Sequence, residues 1–105
     1  MKREEILERL ATRRADLASF GVKSLALFGS VARGEVRPES DLDILVEFSG
    51  PATFDRYMEL KFFLEELLGC SVDLVTHKAL KPRLRPYVEQ EALYVARSEQ
   101  NPTTP

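Results

Sequence analysis

Apolar residues in the first twenty positions recur at the spacing of a helix, with charged residues between them. This pattern predicts one amphipathic helix over residues 2–19, and Gly21 is a suitable stop for it. The apolar positions that define its buried face are Ile6, Leu7, Leu10, Leu17 and Ala18.

Three short apolar runs come later in the chain, and their shortness favours buried strands over helices. They cover residues 24–28, 42–48 and 71–76. Gly29 ends the first run, and Ser49-Gly50-Pro51 breaks the chain after the second. Between these two strands, residues 31–34 are predicted to form a turn or the first coil of a short helix. Residues 35–40, which include Pro38, are predicted to form a loop.

Two further helices are predicted in the second half of the chain. One covers residues 54–68, and Gly69 follows it where a left-handed C-terminal cap is expected. The other begins at Pro82, which suits a first helical turn, and runs to about Ala92. Residues 93–96 either end that helix or add an edge strand. The order of elements predicts an α/β (α+β) fold, in which helices cover a small mixed sheet.

Length and composition restrict the class of protein. A chain of 105 residues with 44% hydrophobic residues is predicted to be one globular domain over residues 1–97, with a polar, frayed tail over 98–105. The single cysteine, Cys70, excludes a disulfide framework within the chain. There is also no Cys and His cluster for a structural zinc site. The apolar runs are far too short to cross a bilayer, and the first residues lack a signal-peptide core, so the expected location is the cytoplasm.

The net charge of −2 argues against a protein that mainly neutralises nucleic-acid phosphates. Neither a directly bound nucleic acid nor a membrane is therefore expected as a partner. A nucleotide substrate stays compatible with the acidic balance, because metal ions can bring the compensating positive charge.

A glycine-rich turn follows the first predicted strand. Gly29 and Ser30 come directly after the apolar run, and Gly34 follows a few residues later. Glycine lets a backbone approach a ligand closely, and the Ser30 hydroxyl can donate to a phosphate oxygen. The motif therefore indicates a phosphate-binding turn, although the same residues after a strand also form ordinary turns.

Acidic residues in two of the predicted strands are candidates for metal binding. A single residue separates Asp41 from Asp43, so their side chains share a face of the sheet. The two positions are roughly 7 Å apart along the chain. Carboxylate pairs suit Mg²⁺, but an isolated pair of this kind also occurs on a solvated strand edge. Asp73 lies inside an apolar strand, where an unpaired charge is costly. If the two strands are neighbours, Asp73 joins the other two carboxylates and completes a two-metal phosphoryl-transfer site; otherwise another group must pair with it.

These motifs together resemble those of the DNA polymerase β-like nucleotidyltransferases, and in length and spacing those of their minimal nucleotidyltransferase (MNT) family. The resemblance spans about residues 7–95. It rests on Gly29-Ser30-Val31-Ala32-Arg33-Gly34, on Ser40-Asp41-Leu42-Asp43-Ile44-Leu45-Val46, and on Leu67-Leu68-Gly69-Cys70-Ser71-Val72-Asp73-Leu74-Val75.

The resemblance implies a role for each of these positions. Gly29 and Ser30 would hold the β- and γ-phosphates of ATP, and Arg33 would steady the turn or contact phosphate. Asp41 and Asp43 would bind two Mg²⁺ ions, while Asp73 would complete the second ion site and orient or deprotonate the attacking hydroxyl. The reaction would transfer a nucleoside monophosphate and release pyrophosphate.

The same resemblance implies a partner. In HEPN/MNT toxin–antitoxin systems, the small nucleotidyltransferase neutralises a HEPN ribonuclease by transferring AMP to a tyrosine, so a hetero-oligomer with a HEPN toxin is expected. Two alternatives stay open at this stage. The chain could block the toxin by contact alone, or it could be a catalytic subunit that modifies a small molecule with help from another chain.

Three other features carry weaker expectations. His77 is predicted to be an exposed loop residue rather than a metal ligand, and Cys70 a small buried hydrophobic residue. Lys81, Arg83 and Arg85 form a basic patch that is either a solvated helix face or a docking surface for an acidic partner or for triphosphate.

Overall fold

A computed structural model of the chain describes residues 2–35 and 41–97. The predicted tail over residues 98–105 and positions 36–40 of the predicted loop lie outside the described residues. Helices and strands in the described ranges follow in the order α1 (Arg3–Ala11), α2 (Arg14–Ser19), β1 (Val22–Phe28), β2 (Leu42–Phe48), α3 (Phe54–Leu68), β3 (Val72–Thr76), α4 (Arg85–Glu91) and β4 (Leu93–Arg97).

The described strands form one sheet in the order β3-β2-β1-β4. β1 pairs antiparallel with both β2 and β4, whereas β2 and β3 are parallel. A parallel pair cannot be joined by a tight turn, so the chain crosses back along α3 between β2 and β3. The mixed sheet with helices that the sequence predicts is confirmed.

α3 has the predicted bounds, and its two ends show why. The Thr53 hydroxyl caps the first turn by accepting a hydrogen bond from the backbone N–H of Arg56 at 3.1 Å. At the other end, Gly69 takes a left-handed conformation with φ of 70°, as expected for a glycine cap. One face of the helix buries Leu60, Leu64 and Leu68 completely against the core.

The main hydrophobic cluster lies on one face of the sheet. Leu42, Ile44 and Val46 of β2 are at most 4% exposed, because alternate residues of a strand point to the same side. Ile6, Leu10 and Leu17 of the N-terminal helices belong to the same buried cluster. The alternation leaves the residues between them, Asp43 among them, on the other side of β2, as predicted.

The N-terminal segment differs from the predicted single helix over residues 2–19. It is divided into α1 and α2 at Thr12 and Arg13. The Thr12 hydroxyl donates to the backbone carbonyl of Arg9 at 2.7 Å, a local bond that competes with helix continuation. Arg14 then turns toward the sheet and donates to the carbonyl of Val95 at 3.2 Å. No apolar residue lies between Ala11 and Ala15 to hold a continuous helix against the core.

The C-terminal helix begins later than predicted, at Arg85 rather than at Pro82. Residues 82–84 form a turn instead. A helix that began at Pro82 would place Pro86 beyond its first turn, where the missing N–H breaks the hydrogen-bond ladder. Starting at Arg85 puts Pro86 within the first turn, where that N–H has no helical partner. Of the two alternatives for residues 93–96, the edge strand is observed, as β4.

In the parts of the chain that the structure describes, no helix has the length and apolar character needed to cross a membrane.

The cap at Gly69 supplies a test of local stability. We expect Gly69→Ala to destabilise the protein by about 1 kcal/mol, because a side chain is strained at positive φ, although a Cβ there would meet no atom within 4 Å. For a chain of this size the melting temperature should fall by about 4–8 °C.

Gly50→Ala is the matched control, because the nearest atom to a Cβ there is Nη1 of Arg56 at an ordinary 3.6 Å and no left-handed φ applies. Its melting temperature should stay close to that of the parent. Equal shifts in the two variants would contradict this account of the cap.

Candidate nucleotidyl-transfer site

The parallel pairing of β2 with β3 places two carboxylates side by side. Asp43 is the direct register partner of Asp73, and each is the second residue of its strand. The register is fixed at this end by the backbone N–H of Leu42, which donates to the carbonyl of Ser71 at 3.0 Å. The sequence left open whether the two strands are neighbours; the structure brings these two aspartates together.

Contacts from α3 fix the start of β3. The Glu65 carboxylate accepts a hydrogen bond from the backbone N–H of Val72 at 2.9 Å, one residue before Asp73. Lys61 holds the same carboxylate oxygen at 2.8 Å, and with the Val72 N–H it lowers the pKa of Glu65. The Tyr57 hydroxyl donates to the carbonyl of Leu74 at 2.6 Å, one residue after Asp73. Asp73 therefore lies between two backbone anchors supplied by the crossover helix.

The electrostatics of Asp43 differ from those of a solvated carboxylate. Burial raises the pKa of Asp43 above its usual range, and the negative charges of Asp73 and Asp41 raise it further. Arg33 acts in the opposite direction and lowers the pKa of Asp43. Burial and the neighbouring carboxylates thus destabilise the charged form of Asp43, and a bound cation would reverse this effect.

Asp41 is placed differently from the other two. It is exposed, lies just before β2, and acts on Asp43 through its charge. Within residues 2–35 and 41–97, no three side chains of the His, Cys, Asp and Glu types form a ready-made metal-ligand group. The structure therefore brings together Asp43 and Asp73 as a close pair and holds Asp41 near this pair without completing a cage.

The glycine-rich turn lies directly against the carboxylate pair. Phe28 is the register partner of Asp43 across β1 and β2, so the next residue, Gly29, comes next to this aspartate. Gly29 has φ of 73°, and a Cβ built on it would collide with Oδ2 of Asp43. Only glycine combines this conformation with such a close approach. The contact explains why the motif has glycine at this position.

Backbone bonds within the turn and a side-chain contact from Arg3 help to hold its shape. The Glu35 N–H donates to the carbonyl of Ser30 at 2.8 Å, and the Arg3 guanidinium donates to the carbonyl of Ala32, also at 2.8 Å. Val31 is 2% exposed and anchors the turn in the core. Ser30 is half-buried beside Gly29. The turn is a fixed structural feature next to the aspartates.

Glu91 is a further residue of the site that was not predicted from the sequence. Its Oε1 accepts a hydrogen bond from the Gly29 N–H at 3.1 Å, and Arg33 Nη1 lies 3.1 Å from Oε2 and 3.3 Å from Oε1. The register Leu27↔Leu93 between β1 and β4 explains the contact, since it brings the end of α4 next to Gly29. Glu91 could have been found only by choosing the edge-strand alternative for residues 93–96.

Three other sequence expectations have mixed outcomes. His77 is half-buried rather than exposed, in a short 3₁₀ turn (His77–Ala79) after β3, and its Nε2 lies 2.6 Å from Oε2 of Glu89. Cys70 is half-buried and packs against the core. In the basic patch, Lys81 and Arg83 are exposed, whereas Arg85 is half-buried.

Comparisons with known proteins identify the class to which this fold and site belong. The chain belongs to the nucleotidyltransferase domain family, whose model matches residues 4–95. The predicted nucleotidyltransferase enzyme is thereby confirmed. A relative from Thermococcus cleftensis, protein adenylyltransferase MntA, is 41% identical over 93 residues, which cover 88% of this chain and 94% of the relative.

Solved structures agree with the family assignment. A candidate minimal nucleotidyltransferase is 46% identical, with a TM-score of 0.72, and the match covers 83% of this chain and 93% of that one. A chain from the complex of a tri-AMPylated HEPN toxin of Shewanella oneidensis with an MNT antitoxin has a TM-score of 0.65 at 20% identity, covering 91% of this chain and 73% of that chain. The second match shows a shared fold. The resemblance to the minimal nucleotidyltransferases is confirmed.

The raised pKa of Asp43 supplies a test of the site's electrostatics. Because the folded state binds this proton more tightly than the unfolded state, the group stabilises the fold fully below its ordinary pKa of 3.8. That contribution is lost as the pH rises through the raised pKa. Asp43→Asn removes the charge, so in chelator its melting temperature should exceed that of the parent by a few degrees at pH 7 and should approach it at low pH.

The difference between variant and parent, measured across pH, isolates Asp43 from the other titrating groups. Glu47→Gln on the same strand is the control, because Glu47 makes a surface ion pair with Lys23 at 3.7 Å, and its loss should shift the melting temperature little. If the stability difference between Asp43→Asn and the parent does not change with pH, the raised pKa of Asp43 is contradicted.

Proposed function

We propose that this protein transfers AMP from ATP to the hydroxyl group of a tyrosine in a partner HEPN ribonuclease toxin. By this transfer it acts as the antitoxin. The observation that carries the proposal is the contact between the Gly29 turn and Asp43, which lies beside Asp73. A phosphate-binding turn and a carboxylate pair meet at one end of the sheet. Phosphoryl transfer needs these two elements together, since it depends on positioning and on neutralising charge.

In this proposal the turn and Arg33 hold the triphosphate. The backbone of Gly29 and the hydroxyl of Ser30 bind the β- and γ-phosphates, and Arg33 adds a positive charge on the exposed side. A lone pair on the tyrosine oxygen attacks the α-phosphorus, and the bond from that phosphorus to the oxygen bridging to the β-phosphate breaks. Pyrophosphate leaves with that electron pair, and Asp73 orients the attacking hydroxyl or accepts its proton.

The residues present fit Mg²⁺, which this reaction class implies. Asp43 and Asp73 are close oxygen donors, and burial together with the charge of Asp73 raises the pKa of Asp43, so a cation there would relieve an unfavourable charge pair. Mg²⁺ is usually held by one or two carboxylates together with water and substrate phosphates, so a complete protein cage is not required. We propose that Asp41, Asp43 and Asp73 hold two such ions. Bound Mg²⁺ would supply charge neutralisation at the phosphates.

The partner follows from the relatives. The Thermococcus relative is named a protein adenylyltransferase, and it is similar over nearly the whole of both chains. The structural neighbour from Shewanella is part of a complex that contains an AMPylated HEPN toxin. The name of the first supports a protein acceptor rather than a small molecule, and the complex of the second supports a hetero-oligomer with a HEPN toxin.

A transfer assay tests the proposal directly. With α-labelled ATP, Mg²⁺ and the product of the neighbouring gene as the candidate HEPN partner, we expect label on that protein. Asp43→Asn and Asp73→Asn should each reduce the rate by about 100-fold or more, because each removes a charge at the reacting phosphate. Asp55→Asn, an exposed acid in the first turn of α3, is the control and should transfer at the parent rate.

The outcomes separate the alternatives. Tight complex formation and toxin neutralisation by Asp43→Asn, without label on the partner for any variant, would replace catalysis by inhibition through contact. Label on hydroxylated small molecules but not on the partner would point to a different acceptor. Transfer at the parent rate by both aspartate variants would contradict the assigned site.

Metal removal is an independent test. We expect a chelator to abolish transfer and added Mg²⁺ to restore it, because the triphosphate and the acidic site repel each other without a cation. The binding of Mg²⁺ should also raise the melting temperature of the parent more than that of Asp43→Asn. Undiminished transfer in excess chelator would rule out the metal requirement.

A further inference from the structure

The Glu91 carboxylate contacts the Gly29 N–H and Arg33, the two groups to which the proposed function assigns phosphate binding. Its Oε1 accepts from the Gly29 N–H at 3.1 Å, and both of its oxygens lie within 3.3 Å of Nη1 of Arg33. A backbone N–H next to a guanidinium is a typical pair of donors for an anion. Glu91 therefore presents the charge and acceptor atoms that a phosphate oxygen would present at the same donors.

The hydrogen bond from the Gly29 N–H can be made to Glu91 or to a phosphate oxygen, but not to both. A backbone amide has one hydrogen, so a phosphate oxygen that takes its bond must replace the Glu91 oxygen. Arg33 is less restrictive, because its guanidinium carries several N–H donors and the contacts with Glu91 engage only Nη1. The carboxylate and the triphosphate also repel each other as like charges. We propose that Glu91 is an internal competitor of the triphosphate, which must displace it from Gly29; this inference rests on the proposed function.

The surroundings of Glu91 favour competition over a structural role. The turn has other bonds that hold its shape, within its own backbone and from Arg3 to the carbonyl of Ala32. The Glu91 side chain is 35% exposed and can move into water without burying its charge. It is also the last residue of α4, and a negative charge at a helix C-terminus is unfavourable.

Displacement of Glu91 also frees Arg33 for the substrate. The Arg33 side chain is 54% exposed, pairs with Glu91 and acts through its charge on Asp43. Once the triphosphate holds the Gly29 N–H, Arg33 can leave Glu91 and turn to a phosphate oxygen. Glu91 thus weakens the binding of ligands whose anionic group takes the Gly29 N–H, and it leaves the binding of a nucleoside alone unaffected.

The test compares the binding of three probes to the full chain in the presence of Mg²⁺: ATP, inorganic tripolyphosphate and adenosine. Glu91→Gln keeps the size and one acceptor oxygen but removes the charge. We expect it to bind ATP and tripolyphosphate about three- to tenfold more tightly than the parent, with adenosine binding unchanged. In the transfer assay the KM for ATP should fall while kcat stays the same.

Glu89→Gln is the matched control, because Glu89 lies on the same helix and contacts His77 instead of the turn. Its affinity for ATP should equal that of the parent. Glu91→Ala should change ATP affinity in the same direction as Glu91→Gln. Melting temperatures of all variants are measured alongside. If Glu91→Ala is unstable, the binding data for the isosteric Glu91→Gln decide the outcome.

Unchanged or weaker binding of tripolyphosphate by Glu91→Gln would overturn the proposal, and a fall in melting temperature with weaker binding would show that Glu91 supports the turn. The failure of the proposed function looks different. In that case neither the parent nor any variant would bind ATP or tripolyphosphate, and no label would reach the partner.

Discussion

The parallel pairing of β2 with β3 is the constraint on which the rest of the site depends. It requires a crossover long enough to carry the chain back along the sheet, and α3 supplies it. The same pairing puts Asp43 beside Asp73, while the residues on either side of each aspartate enter the core. A shift of one residue in this register would bury the carboxylates and expose the apolar side chains. The hydrophobic pattern that folds the sheet therefore also positions the two acids.

The core and the site support each other through shared residues. Glu65 and Tyr57 belong to the helix that buries Leu60 and Leu64, yet their polar atoms bind the backbone of β3 on both sides of Asp73. Packing of α3 thus reduces the freedom of the strand that carries an acid. The free energy that folds the hydrophobic core keeps two like charges together, which would separate if they were on flexible loops.

Much of the fold could be predicted from the sequence because the governing signals are local. The bounds of β2 and α3 follow from their apolar residues, from the break at Ser49-Gly50-Pro51 and from the cap at Gly69. A single N-terminal helix and a C-terminal helix that begins at Pro82 were predicted, and both predictions were wrong. In both cases a local bond or the position of a second proline outweighed the broad pattern. For the site, the motifs identified candidate residues, whereas the pairing of Asp43 with Asp73 needed the strand order.

Glu91 shows what lies beyond sequence reasoning at this site. It has no motif of its own, and it reaches Gly29 only because β4 pairs with β1 and brings the end of α4 to the turn. With it, the Gly29 turn has carboxylates on two sides, Asp43 on one and Glu91 on the other. Under the proposed function, a phosphate group binds this turn when a cation neutralises the aspartates and Glu91 moves away. The two events would then be coupled, because Asp43 and Glu91 both contact Gly29.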